Sequence, residues 1–261
     1  MKKADAYIAV FDSGVGGISV LRRLLQQLPR ERFLYYGDSA NAPYGVRSKE
    51  EVCRLTLEAA SYLFSRGCKA LVVACNTATS AAIETLRSRY PDTVIIGIEP
   101  ALKVAADRYP GGNIGILATP MTLREEKFAA LLEKCSKSCR CVSIPAPGLA
   151  ELVEQGKENG DEAEALLRPL LAPYAGKLDA LVLGCTHYPF AAPVIRRILG
   201  DIPLLDGSDG TARETHRRLQ AAGLLRQEGE GALVLENSLP DPAILQRCYA
   251  LLQQKDLEES V

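Results

Sequence analysis

The chain has 261 residues, 47% apolar and 24% charged, with 31 basic against 32 acidic side chains and a formal charge of −1. This is the balance of an ordinary globular protein of one or two domains, and without a basic block it carries no electrostatic footprint for nucleic acid. No apolar run reaches the roughly 18 residues of a membrane span, and residues 1–5 lead into a strand without a signal-peptide core, so a cytoplasmic enzyme is expected.

Residues 7–11 (Tyr-Ile-Ala-Val-Phe) read as a buried strand. It stops at Asp12-Ser13-Gly14-Val15-Gly16-Gly17, and helical spacing follows over residues 18–28. A second strand at 33–36 ends at Gly37-Asp38-Ser39. After a loop over 40–47, Ser48 and Glu51 form a capping box, which predicts a helix over 49–66. The run Leu71-Val72-Val73-Ala74 then stops at Cys75-Asn76-Thr77. A helix over 79–90 and a strand over 94–98 follow, and Glu99-Pro100 opens another helix or turn.

At Asn113 the pattern restarts. Residues 114–119 resemble the first strand, with Ile114 106 positions beyond Ile8. The run Leu181-Val182-Leu183-Gly184 stops at Cys185-Thr186-His187, 110 positions beyond Cys75. Two elements repeated at nearly one offset imply a duplicated α/β unit. Between them lie a strand at 141–144 and helices over 149–158 and 161–174. After them come a helix over 193–199, a short strand at 203–205, a turn at 207–210, a helix over 211–222, a strand at 231–236 and a last helix over 242–254. The alternation predicts two α/β domains with mainly parallel sheets. The tail is expected to return to the first half, giving one domain of residues 1–97 plus 208–261 and a second of 98–207.

Gly14-Val15-Gly16-Gly17, between a strand and a helix with Asp38 further on, carries part of a dinucleotide fingerprint. Ser19 stands where the third glycine belongs, and Asp12 would set a carboxylate beside a pyrophosphate, so a nucleotide is disfavoured. Asp12 and Ser13 at a strand's carboxyl end still mark a ligand site.

The eight cysteines are expected to be reduced. Cys53, Cys68 and Cys248, in or beside helices, read as small buried hydrophobes. Cys135-x3-Cys139-x-Cys141 lacks a nearby histidine and matches no common zinc spacing, so no metal is expected. Cys75 and Cys185 differ: each ends a strand before a helix start, where backbone N–H groups and the helix dipole favour a thiolate. His187 is near enough to Cys185 to move a proton, whereas His216 reads as a surface residue. Neither thiol sits in a C-x-x-C redox motif, and a single nucleophile leaves the second copy unexplained. Two-base proton transfer at a carbon centre uses both.

Asp12-Ser13-Gly14-Val15-Gly16-Gly17, Gly37-Asp38-Ser39 with Pro43-Tyr44-Gly45, Cys75-Asn76-Thr77 and Gly184-Cys185-Thr186-His187 together resemble the glutamate racemases of the aspartate/glutamate racemase superfamily. The match runs in order from about residue 8 to 210. The resemblance implies two α/β domains related by pseudo-twofold symmetry, with the active site in the cleft between them. It implies cofactor-independent interconversion of L- and D-glutamate, supply of D-glutamate for peptidoglycan, and a homodimer. By that resemblance Cys75 is the base acting on D-glutamate and Cys185 the base acting on L-glutamate, assisted by Asp12 and His187 respectively. Ser13, Asn76, Thr77 and Thr186 are implied substrate contacts, together with Pro43, Tyr44, Gly45 and Thr119. A glutamate near the second thiol is implied at Glu154, with Glu151 the alternative. After Thr119 the chain departs from the pattern, and Thr122 is only a weak candidate. The rival substrate is aspartate or another amino acid on the same fold.

Overall fold

The computed structural model describes residues 3–98 and 101–254. The expected helix or turn at Glu99-Pro100 falls outside them. The first half runs β1 (Ile8–Asp12), α1 (Ile18–Gln27), β2 (Arg32–Gly37), α2 (Lys49–Ser65), β3 (Ala70–Val73), α3 (Asn76–Arg89) and β4 (Val94–Gly97). The second runs α4 (Leu102–Arg108), β5 (Asn113–Ala118), α5 (Pro120–Arg124), α6 (Glu126–Cys135), β6 (Arg140–Pro145), α7 (Leu149–Glu154), α8 (Asp161–Leu171), β7 (Ala180–Gly184), α9 (Ala192–Leu199) and β8 (Leu204–Leu205). Then come α10 (Ser208–Ala221), β9 (Ala232–Asn237) and α11 (Pro242–Gln253).

The strands form two wholly parallel sheets, ordered β4-β3-β1-β2-β9 and β6-β5-β7-β8. Taken from its other end, the second is β8-β7-β5-β6, the same crossover pattern as β4-β3-β1-β2. The repeat seen at Ile8/Ile114 and Cys75/Cys185 is therefore a repeat of topology. The tail returns to the first sheet: β9 pairs with β2, and α10 and α11 pack on α1.

Parallel strands covered on both faces need apolar residues at every position, not alternate ones. All five residues of β1 and all five of β7 are buried. Along β1, Ile8 and Val10 face a cluster with α1, while Ala9 and Phe11 face a cluster with α2 and α3. In the second sheet Leu181 and Leu183 pack toward α8 and α9, and Ala180 and Val182 toward α4 and α6. This two-faced burial fixes each strand so that its carboxyl end projects a fixed set of side chains.

The Ser48 cap is present, its Oγ accepting from Glu51 N at 3.2 Å, although the Glu51 carboxylate pairs with Arg47. Several boundaries differ from the sequence expectation. Helix α3 begins at Asn76 rather than Thr79, because Cys75 is its N-cap and accepts from Ala78 N at 3.4 Å. Helix α7 stops at Glu154 rather than running to 158, since Gly156 turns the chain at φ +76°. The turn expected at 207–210 lies mostly inside α10, which starts at Ser208. Helices α5 and α6 fill a segment for which the sequence reading offered no element. A signal was there: Thr119 caps α5 by accepting from Thr122 N, and Pro120 occupies the first helical position. Among the described residues no helix is long and apolar enough to cross a membrane.

Candidate active site

In each sheet the first and third strands are paired neighbours whose following helices leave toward opposite faces, and both strand pairs present their carboxyl ends to one cavity of roughly 330 Å³. From the first sheet's side the cavity is lined by Ser13 after β1, by Cys75, Asn76 and Thr77 after β3, and by the loop Pro43-Tyr44-Gly45. From the second side come Thr119 after β5, Cys185, Thr186 and His187 after β7, and Glu154 at the end of α7. The structure thus brings together twelve of the thirteen residues singled out in the sequence. The thirteenth, Asp12, is fully buried behind the lining. Thr122 does not line the cavity; its hydroxyl lies 3.0 Å from that of Thr119.

Residues Cys75 and Cys185 are 5% and 8% exposed, so bulk water is largely kept off them, and both line the cavity. Their surroundings differ. Cys75 Sγ donates toward Ser13 Oγ at 3.6 Å and accepts from Ala78 N. Cys185 Sγ lies 3.6 Å from His187 Nδ1, and His187 Nε2 lies 2.7 Å from Glu154 Oε1. The same Glu154 oxygen accepts from Val15 N at 2.7 Å, in the loop after β1. Glu151 also lines the cavity, but the contact to His187 is made by Glu154. Cys185 does not cap a helix as Cys75 does. It leads through His187 into a 3-10 turn at Tyr188–Ala191 before α9 begins.

Asp12 links the two halves. Its Oδ1 accepts from Gly14 N at 3.1 Å and its Oδ2 from Thr186 Oγ1 at 3.0 Å. Thr186, expected as a substrate contact, thus also anchors the carboxylate of the opposite sheet. Burial pushes the Asp12 carboxyl up to about 6, opposed by His187 and by its two donors. The expectation of a lowered thiol pKa is reversed at Cys75: burial, reinforced by the Asp12 charge, pushes it up to about 12. The helix start and Ser13 act in the expected direction but are outweighed by loss of water around the sulfur. For His187 burial pulls down, yet contact with the Cys185 sulfur and the Glu154 carboxylate holds the ring well above its ordinary value.

The glycine-rich turn serves these side chains. A Cβ at Gly14 would land on the Glu154 carboxylate, and one at Gly16 on the His187 ring. The space a dinucleotide fingerprint would leave for pyrophosphate is occupied by two side chains of the second half of the chain. Asp38, considered as that motif's acid, instead accepts from Tyr44 OH at 2.7 Å and from Asn41 Nδ2, pinning the loop that bears Pro43 and Gly45. This supporting role was missed, although the polar cluster at the end of β2 marked the place. Asn76 Oδ1 is buried with no hydrogen-bond partner. An orphaned acceptor at a cavity wall is the mark of a place for a ligand donor.

All eight cysteines are free, and Cys139 Sγ lies 3.4 Å from Cys141 Sγ, away from the cavity.

A family model described as Asp/Glu/hydantoin racemase matches residues 8–215. The chain belongs to that racemase family. It is therefore an isomerase, and its relatives narrow the comparison further. A glutamate racemase of Clostridium acetobutylicum is 49% identical over 94% of this chain and 96% of its own length. Among solved structures, the glutamate racemase of Thermus thermophilus in complex with β-chloro-D-alanine superposes with a TM-score of 0.82 at 37% identity, covering 97% of this racemase-family chain and 95% of that one. The glutamate racemase of Francisella tularensis in complex with D-glutamate gives a TM-score of 0.83 at 26% identity, over 97% and 95%.

Proposed function

We propose that this racemase-family chain interconverts L- and D-glutamate by two-base proton transfer between Cys75 and Cys185. The observation that carries the reading is that two thiols, ending equivalent strands of two like sheets, line one cavity. Cys75 acts on D-glutamate and Cys185 on L-glutamate. One thiolate takes the α-proton, leaving a carbanion-like centre, and the opposite thiol delivers its own proton to the other face. The thiol and thiolate roles are thereby exchanged, and protons and charge balance.

The other lining groups fit the demands of that step. Asn76 Oδ1 is an open acceptor for the α-ammonium group, whose positive charge would favour a thiolate at Cys75 against its burial. Ser13, Thr77, Thr119 and the backbone at Pro43-Tyr44-Gly45 offer polar contacts to the carboxylates. Donors fixed before the substrate arrives stabilise developing charge without reorganising. The Asp12 charge makes the Cys75 thiolate a stronger base, and His187 with Glu154 serves the Cys185 side through contact. The same reading makes the chain a cofactor-independent cytoplasmic homodimer that supplies D-glutamate for peptidoglycan.

The test is α-deuterium wash-in. In deuterated water the reduced protein, with no added cofactor, should exchange the α-proton of either glutamate enantiomer. Absence of exchange would sink the reading. Cys75→Ala and Cys185→Ala should each abolish racemisation; full turnover in either would end the symmetric mechanism. Faster turnover of L-aspartate than of L-glutamate would keep the chemistry and change the substrate.

A further inference from the structure

Helix α11 follows β9 and belongs to the tail that packs on α1 of the first sheet. Helix α7, which carries Glu154, lies in the second half of the chain. Arg247 joins them by hydrogen bonds. Arg247 of α11 donates to the carbonyl of Val153, the residue before Glu154, through Nε at 3.3 Å and Nη2 at 3.1 Å. Its Nη2 also lies 2.5 Å from Glu158 Oε2, an ion pair without hydrogen-bond alignment, and the Glu158 side chain is only 7% exposed. A Cβ added at Gly156, where the chain leaves α7, would lie 3.9 Å from the guanidinium.

Helix α7 has six residues, too few to hold itself in place by its own backbone bonds. Its position is therefore set from outside. Val153 is buried in the cluster shared with Val15, Cys248 and Leu251, which supplies non-directional packing. Arg247 supplies the directional part from outside the segment: it adds donors to the Val153 carbonyl, which already accepts from Gly156 N at 3.1 Å, and places a cation at that end of α7. Glu154 comes next in the chain, its Oε1 placed between Val15 N and His187 Nε2.

We propose that Arg247 is a positioning residue for the Cys185 side of the reaction, tying the end of α7 to α11 so that the Glu154 carboxylate stays against His187. This rests on the two-thiol reading above. Arg247 touches none of the reacting atoms; it acts through Glu154. A planar fork that meets a carbonyl and a carboxylate at once is the task to which arginine is suited and lysine is not.

The two enantiomers have equal free energy in water, so kcat/KM must change by the same factor in both directions. A one-sided lesion shows itself in the α-deuterium isotope effect. Arg247→Met keeps the bulk and removes the donors. It should lower kcat/KM by on the order of tenfold, the size found when a group supporting an active-site residue is lost. The isotope effect on kcat/KM should rise for L-glutamate, whose proton Cys185 removes, and fall for D-glutamate. Arg247→Lys should recover part of the activity, and Glu158→Gln should shift both isotope effects in the same sense by less. Near-ultraviolet circular dichroism reports the folded fraction in each case. Isotope effects that stay put, or move equally for both enantiomers, would overturn the assignment, as would losses of activity that only track losses of folded protein. If the unmodified protein exchanges no α-deuterium, the two-thiol reading fails and the assignment with it. If it exchanges and Arg247→Met matches it, the assignment alone fails.

Discussion

Thr186 donates its hydroxyl to Asp12 Oδ2 at 3.0 Å. The residue after one cavity thiol thus holds the carboxylate that serves the other. This hydrogen bond lowers the pKa of a carboxyl that burial has raised. Thr186→Val, nearly isosteric, removes it. The carboxyl should then titrate above about 6, and the acid limb of the rate profile should move to higher pH. Turnover at pH 6 should fall more than turnover at pH 8. Rate profiles of the two proteins between pH 5 and 9 provide the check.

Asp12 should also leave a mark on stability. Its folded pKa, about 6, lies above its ordinary 3.8, so the folded state binds this proton more tightly than the unfolded chain. The favourable contribution is complete below about pH 4 and is lost as pH rises to about 6. Above that the ionised, buried carboxylate costs about 3 kcal/mol, two pKa units at 1.36 kcal/mol each. Asp12→Asn keeps an acceptor for Gly14 N and offers a donor to Thr186 Oγ1. It should stabilise the protein at pH 8 by up to that amount and have little effect at pH 4, while racemisation falls. Urea unfolding at the two pH values measures the difference.

Gly16 and Gly67 separate two reasons for a glycine. A Cβ at Gly16 would strike the His187 ring, and no left-handed backbone is required there. Gly67 has φ +77° and open space around it. Gly16→Ala should displace His187 and lower kcat/KM by about a hundredfold, the scale of an ångström-sized misplacement of a catalytic group. Gly67→Ala should leave kcat/KM alone and lower stability by roughly 1 kcal/mol through strain. Kinetics and thermal melts of both variants distinguish the cases.

Lys69 and Glu31 form a buried ion pair at 2.6 Å, with side chains 0% and 2% exposed. Lys69 also donates to the carbonyls of Ala4 and Leu224, so it joins the amino-terminal turn to the chain after α10. Lys69→Met strands the Glu31 carboxylate in the interior, and such single removals cost about 3–5 kcal/mol. The urea midpoint should fall sharply, with KM unchanged in the molecules that remain folded. A KM that rises with the loss would show that this end of the sheet reaches the site.

The strands were legible because two-faced burial writes unbroken apolar runs such as Tyr-Ile-Ala-Val-Phe. Their ends were legible because polar residues interrupt those runs at Asp12, Cys75 and Cys185. Both thiols, His187 and Asn76 could be found by sitting at those interruptions. Partnerships across the two halves could not. Nothing local to Gly14 or Gly16 tells that Glu154 and His187 come down on them. The preference of Glu154 over Glu151 depends on which face of a six-residue helix the second half turns toward the first. The thiol environment was misjudged at Cys75 because a helix start is visible in a sequence, whereas exclusion of water by the side chains packed around the sulfur, Tyr44 and Met121 among them, is not. Helices α5 and α6 escaped because charges at Glu125, Glu126 and Lys127 obscure a short amphipathic pattern around Phe128.

The two sheets differ in one respect that reaches beyond the cavity. The first extends β2 with β9, whereas the equivalent strand of the second, β6, is outermost. Along β6 Arg140, Ser143 and Pro145 are exposed. A charge at one end and a proline, which has no N–H to give, at the other make a poor template for another chain's strand. Self-association through a continuous intermolecular sheet is disfavoured at this margin.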